Sequence, residues 1–231
     1  LTINMGGYQP PTSVHNRAAE VFGKELKTRL DDRVEFNLDG NMPESTGCRA
    51  DDLPKMVDKG DLTMCYFASS YLTENVPEMG IFDLPFVVDS REKAYAALDG
   101  ELGDLLKKKY LETTGWRVLG FWDNGFRHFT NSKRAMRTPS DCEGMSVRSM
   151  NSELHQEFFR LLGMDPMYVD VSDLVEAAKT GKLDAQENPL TNTYRFGTHK
   201  YHRHITLTGH FFGASLVLVN NDTYESWPED V

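Results

Sequence analysis

The alternation of periods in the first 67 residues constrains the fold most. Leu1 to Met5 reads as a strand ended by Gly6-Gly7. Pro10-Pro11-Thr12-Ser13 then leads into a helix with Val14, Ala18, Phe22, Leu26 and Leu30 at four-residue steps. Val34, Phe36 and Leu38 alternate with Glu35 and Asn37, the period of a second strand. After a loop from Asp39 to Gly47, Leu53, Met56 and Val57 mark a short helix closed by Gly60, and Leu62 to Phe67 is a third strand. The β-α-β-α-β order predicts an α/β fold with a parallel sheet, covering helices and right-handed crossovers.

Beyond residue 68 the pattern continues less regularly. Ser69 to Pro85 is irregular, punctuated by Pro77, Gly80 and Pro85. Helices are expected over Arg91 to Leu98 and over Glu101 to about Thr113. Trp116 to Trp122 reads as a strand, with extended chain again at Arg127 to Asn131. Asp165 to Val169 is strand-like, Ser172 caps a helix ending at Gly181, and Leu183 to Glu187 is a short strand stopped by Asn188-Pro189. A helix over Thr191 to Phe196 and strands at Ile205 to Leu207 and Ala214 to Val219 follow. Asp222 to Val231 reads as a helix beginning, with Trp227-Pro228-Glu229-Asp230 as its first turn.

The stretch Gly144-Met145-Ser146-Val147-Arg148 is the one most suited to a ligand. Thr138-Pro139-Ser140-Asp141 gives a turn before it, and the alternation of Met145 and Val147 with Ser146 and Arg148 gives a strand. Asn151 or Ser152 can cap the next helix, whose Leu154, Phe158, Leu161 and Leu162 share a side and which Gly163 stops. Arg148 therefore ends a strand just before a helix N-terminus, where open α/β sheets place ligand groups. A guanidinium there is suited to a carboxylate. The alternative is an Arg in a surface salt bridge.

Composition narrows the partners. Of 231 residues, 39% are apolar, and no apolar run approaches the roughly 20 residues that span a bilayer. A net charge of -10 argues against nucleic acid as partner, since phosphate binding needs a basic surface. The start at Leu1 fits removal of a signal peptide, and equally a chain that begins partway through a longer one. Cys48, Cys65 and Cys142 form no C-x-x-C pair, so no disulfide framework is expected, and Cys65 lies in an apolar run. There is no G-x-S-x-G, H-E-x-x-H, G-x-G-x-x-G or G-x-x-x-x-G-K-[ST] motif. The cluster His199-Lys200-Tyr201-His202-Arg203-His204 has no zinc spacing, and its two cations would repel a metal. No metal and no cofactor are expected.

What remains is a carboxylate-receptor set. Arg127, Arg148 and Asn188 each lie at or near the end of a short extended segment. Trp122, Phe126, Phe129, Tyr71, Phe211 and Phe212 lie near those ends in sequence. An apolar wall with few convergent polar groups is the make-up of a small-molecule pocket; core packing is the alternative for each ring. An enzyme acting on a carboxylic acid, with His128 or His210 as general base, is a rival reading. Nothing in the sequence supplies a nucleophile or an oriented His-acid pair.

Five stretches then carry a resemblance: Leu84-Pro85-Phe86, Asn124-Gly125-Phe126-Arg127, Thr138 to Asp141 with Gly144 to Arg148, Leu162-Gly163-Met164-Asp165-Pro166, and Gly181 to Pro189. In order and spacing the chain resembles the solute-binding subunits of TRAP transporters, the tripartite ATP-independent periplasmic family that carries organic acids. The resemblance implies a two-lobed α/β fold that closes on a ligand in the cleft, with further C-terminal helices beyond Val231. The lobes are expected over 1–123 plus 210–231 and over 124–209. By that likeness Arg148 is the principal carboxylate ligand, Arg127 a second contact, and Asn188 an amide that fixes a ligand oxygen. Ser69 and Tyr71 fall where members set specificity; Gln9, Asn151, His210 and Phe211 are further pocket positions. The uncharged segment around Tyr71 leans towards a monocarboxylate with an apolar or aromatic body. Both arginines are expected to face water in the empty protein. The implied protein is a periplasmic monomer, not an enzyme, that hands its ligand to membrane subunits; a periplasmic sensor would use the same residues.

Overall fold

The computed structural model describes residues 1–230. The chain divides into two compact units, Leu1–Ala68 with Ala94–Asp123 and Ser215–Val231, and Ser69–Lys93 with Asn124–Ala214. Residues 69–93 and 210–214, assigned from sequence to the first lobe, thus pack with the second unit.

In the first unit, strand β1 (Thr2–Gly6) lies between β2 (Glu35–Asp39) and β3 (Met64–Ala68), parallel to both. Helix α1 (Val14–Leu30) starts at Ser13, whose Oγ accepts the Asn16 N–H. Its buried face is His15, Asn16, Ala19, Gly23 and Leu30, not the Val14-Ala18-Phe22 row. The reason is close approach: a Cβ on Gly23 would stand 2.2 Å from the Phe36 ring, so α1 meets β2 at its smallest residues. The expected loop 39–47 contains α2 (Met42–Thr46), too short for periodicity to reveal. Helix α3 (Leu53–Lys59) ends at Gly60. Helices α4 (Arg91–Leu98) and α5 (Glu101–Thr114) lead to β4 (Trp116–Asn131), one strand where two extended pieces were expected.

In the second unit, β5 (Ser146–Ser149) lies between β6 (Asp165–Tyr168) and β7 (Ala185–Pro189), parallel to both. Helices α6 (Glu153–Leu161) and α7 (Leu174–Lys179) make the crossovers, and the latter is capped at Asp173. Ser172 instead donates its hydroxyl to Asp170. β4 runs antiparallel to β7, and Asn188-Pro189 forms the last two residues of β7 rather than stopping it. Helix α8 (Leu190–Phe196) follows. The two expected C-terminal strands are one, β8 (His204–Asn220), whose end pairs antiparallel with β3. Within the first unit the order is β2-β1-β3 with the end of β8 beside β3, and within the second β4-β7-β5-β6. Helix α9 (Asn221–Glu225) begins earlier than expected because Asn220 caps it; Trp227 to Asp230 is not helical, and Val231 lies outside the described residues.

The core of the second unit gathers Phe129, Val147, Phe159, Ala185 and Phe211. On α6 the fully buried residues are His155 and Phe159, while Leu161 is 78% exposed. The expected leucine row is displaced because His155 stacks on Phe211, centroids 4.4 Å apart, and faces buried carboxylates.

Candidate functional site

The turn that delivers β5 needs a left-handed residue: Gly144 has φ 73°, and its N–H donates to the Gly163 carbonyl at 2.8 Å. β5 then carries Arg148 into the interior, where it is 2% exposed. Its Nε donates to the Val169 carbonyl at 2.8 Å and its Nη2 to the Tyr71 hydroxyl at 3.2 Å. Both acceptors are neutral, and among the described residues no carboxylate pairs with this guanidinium. A surface salt bridge is excluded as its role. Ser69, two residues before Tyr71, has a buried hydroxyl with no hydrogen-bond partner among the described residues.

Arg127, on β4, is equally buried but committed. Nε and Nη2 grip the Glu187 carboxylate, with Nη2 2.7 Å from Oε1, and Nη2 also reaches the Glu187 carbonyl at 3.0 Å. Nη1 makes none of these bonds. The structure buries both arginines, in contrast to the water-facing placement expected of them, because the strands that carry them are interior.

Glu187 is the hub of a buried ionic cluster. Burial would raise its carboxyl, but the Arg127 charge, with His210 and His155 nearby, holds it well below the usual carboxylate range. His210 Nε2 lies 3.5 Å from Glu187 Oε2, and burial keeps that imidazole below its ordinary value against the pull of Glu187. His155 Nε2 lies 3.0 Å from Asp83 Oδ1, close but not aligned as a hydrogen bond. Asp83 Oδ1 accepts from the Ser70 hydroxyl at 2.9 Å.

The other expected site residues divide. Asn188 is buried beside this cluster, its amide donating to Gln186 Oε1 at 2.6 Å. Asn151 is exposed and does not cap α6; Ser152 does. Phe211 belongs to the core. Gln9 lies in the first unit, where its Oε1 and backbone N–H bond to His15 and Tyr66. Trp122 stacks with His15 in that same unit. His128 accepts the Gly209 N–H at 2.9 Å, and burial lowers its pKa. Of the loop histidines, His199 stacks on Tyr194 and His202 bonds Thr130. Sequence reasoning missed Glu187, His155 and Asp83. The available signal was an ionisable residue inside an otherwise buried strand or helix face.

An uncharacterized protein of Haemophilus influenzae is 31% identical over 226 residues, 98% of this chain and 68% of that protein. The sugar acid binding protein DctPAm of Advenella mimigardefordensis, in complex with galactonate, superposes with a TM-score of 0.93 at 25% identity, covering 100% of this chain and 73% of that one. A TRAP periplasmic solute binding protein of Sulfurospirillum deleyianum with bound succinate gives 0.92 at 29% identity, covering 99% and 73%. The chain spans 68%, 62% and 67% of the length of three curated relatives it matches. Such proteins are solute-binding receptors, not enzymes, which removes the general-base reading of His128 and His210. A family model described as bacterial extracellular solute-binding protein, family 7 (DctP) matches residues 5–231, and the chain belongs to that family.

Proposed function

We propose that the protein is an extracytoplasmic, periplasmic receptor for a small organic carboxylate, delivering it to the membrane subunits of a TRAP transporter. The observation that carries this is Arg148, a buried guanidinium whose hydrogen bonds go to a carbonyl and a phenol, with no carboxylate partner among the described residues. A buried charge left unpaired is costly, so such a site favours an incoming anion. Its planar fork suits the two oxygens of a carboxylate.

Arg127 is already neutralised by Glu187 and leaves Nη1 for a lesser contact. The ligand would thus present one carboxylate to Arg148. The buried Ser69 hydroxyl and Asn188 amide favour oxygen atoms on the rest of it. Galactonate and succinate, bound by similar proteins, give no support to an apolar or aromatic body. We take the two compact units as the two lobes, and binding as closure driven by higher affinity for the closed state.

The test is native mass spectrometry of the protein with whatever co-purifies, followed by calorimetric titration with that compound. A small carboxylate whose binding is lost on Arg148→Lys supports the proposal. A ligand without an acid group, or one that ignores Arg148, overturns it.

A further inference from the structure

We infer a second ligand site in the second unit, for a small hydrophobic carboxylate, in the apolar cavity walled by Phe129, Phe158 and Leu162 with Arg137 at its edge. The cavity holds about 220 Å³. An empty apolar cavity of roughly 150 Å³ accepts benzene, so one six-membered ring with a substituent fits here. Met136 and Cys142 add to the apolar wall, Thr206, Thr208 and His210 also line the cavity, and Arg148 does not.

Two features make this more than a packing defect. The first is Arg137. It is exposed and lines the cavity, and its side chain has no ion-pair partner among the described residues. The nearby Asp141 carboxylate accepts the backbone N–H groups of Arg137 and Thr138 and the Thr138 hydroxyl, and does not pair with that guanidinium. An apolar slot with an unpaired cation at its rim is complementary to a ring bearing a carboxylate. The second is Phe86, which also lines the cavity. Its φ is 62°, a left-handed conformation costly for a bulky residue, and its side chain is 65% exposed. Its N–H donates to the His210 carbonyl at 2.9 Å, which holds the aromatic ring at the cavity.

Benzoate is the probe and benzyl alcohol its uncharged counterpart, read by the ¹³C-methyl resonance of Met136, with Met5 of the first unit as control. Benzoate should shift Met136 and leave Met5 unmoved. Arg137→Gln should weaken benzoate about three- to five-fold, the worth of a partly exposed ion pair, and leave benzyl alcohol unchanged. Thr206→Trp, which fills the cavity, should abolish the response; if that variant does not fold, the parent and Arg137→Gln titrations decide. In an Arg148→Lys background the Met136 response should persist, separating this site from the proposed primary one. A Met136 resonance that ignores benzoate, or a response lost with Arg148→Lys, overturns the inference. So does a response that Arg137→Gln leaves intact.

Discussion

The Arg127 guanidinium holds the Glu187 carboxylate through Nε and Nη2, both side chains at most 1% exposed, while Arg148 on β5 has no acid partner among the described residues. Two arginines of the same chemistry thus have opposite states of charge balance. Arg127 is internally compensated by Glu187. Arg148 keeps an unmatched charge.

The first prediction follows from that contrast. Arg148→Lys keeps the charge but loses the paired hydrogen bonds a carboxylate can accept. Breaking such a buried charged contact costs roughly 2–5 kcal/mol, about thirty-fold or more in dissociation constant. Calorimetric titration of the variant with the co-purified ligand, beside a thermal melt of the empty protein, checks this. Unchanged affinity would return Arg148 to a structural role.

Glu187→Gln should act on stability first. It leaves the Arg127 charge buried without its partner, at a cost of roughly 3–5 kcal/mol. Urea unfolding of the empty protein measures it. An unchanged midpoint at unchanged slope would show that the pair contributes no net stability.

Tyr71→Arg places a second cation beside Arg148, within the span the Tyr71 hydroxyl now bridges at 3.2 Å. Mutual repulsion should lower the melting temperature of the ligand-free protein and shift preference from a monoacid towards ligands with two anionic groups. Titration with a monoacid and a diacid of equal length tests this, and an unaltered preference would place Tyr71 outside the ligand's reach.

Stability should fall with acid below neutrality. Burial lowers the His15 imidazole from 6.5 to about 4, against the opposing pull of Asp123. Its folded value lies below its unfolded one, so the unfolded chain binds the extra proton between these limits. Stability is then complete above about 6.5 and declines as pH falls towards 4, by roughly 3 kcal/mol. Glu187, held low in the fold, adds a loss of the same sign at lower pH still. Unfolding free energies at pH 7 and 4.5 should differ less in His15→Gln than in the parent. Equal differences would remove His15 as the cause.

Sequence alone determined what is local. Ser13 and Ser152 cap their helices, Gly60, Gly115 and Gly163 end elements, and the first three strands pair in parallel, because turn chemistry and period act over a few residues. The family motifs around Arg127, Arg148 and Asn188 were legible as a resemblance in order and spacing. Only the tertiary structure decided which faces were buried. α1 presents Gly23 because Phe36 fills the space a side chain would take, and α6 presents His155 because Asp83 and Phe211 wait for it. It also joined four extended pieces into β4 and β8, since partners remote in sequence supply their ladder hydrogen bonds. The pairing of Arg127 with Glu187, 60 residues away, is of this kind: period and turn signals carry no information about which distant carboxylate meets which guanidinium.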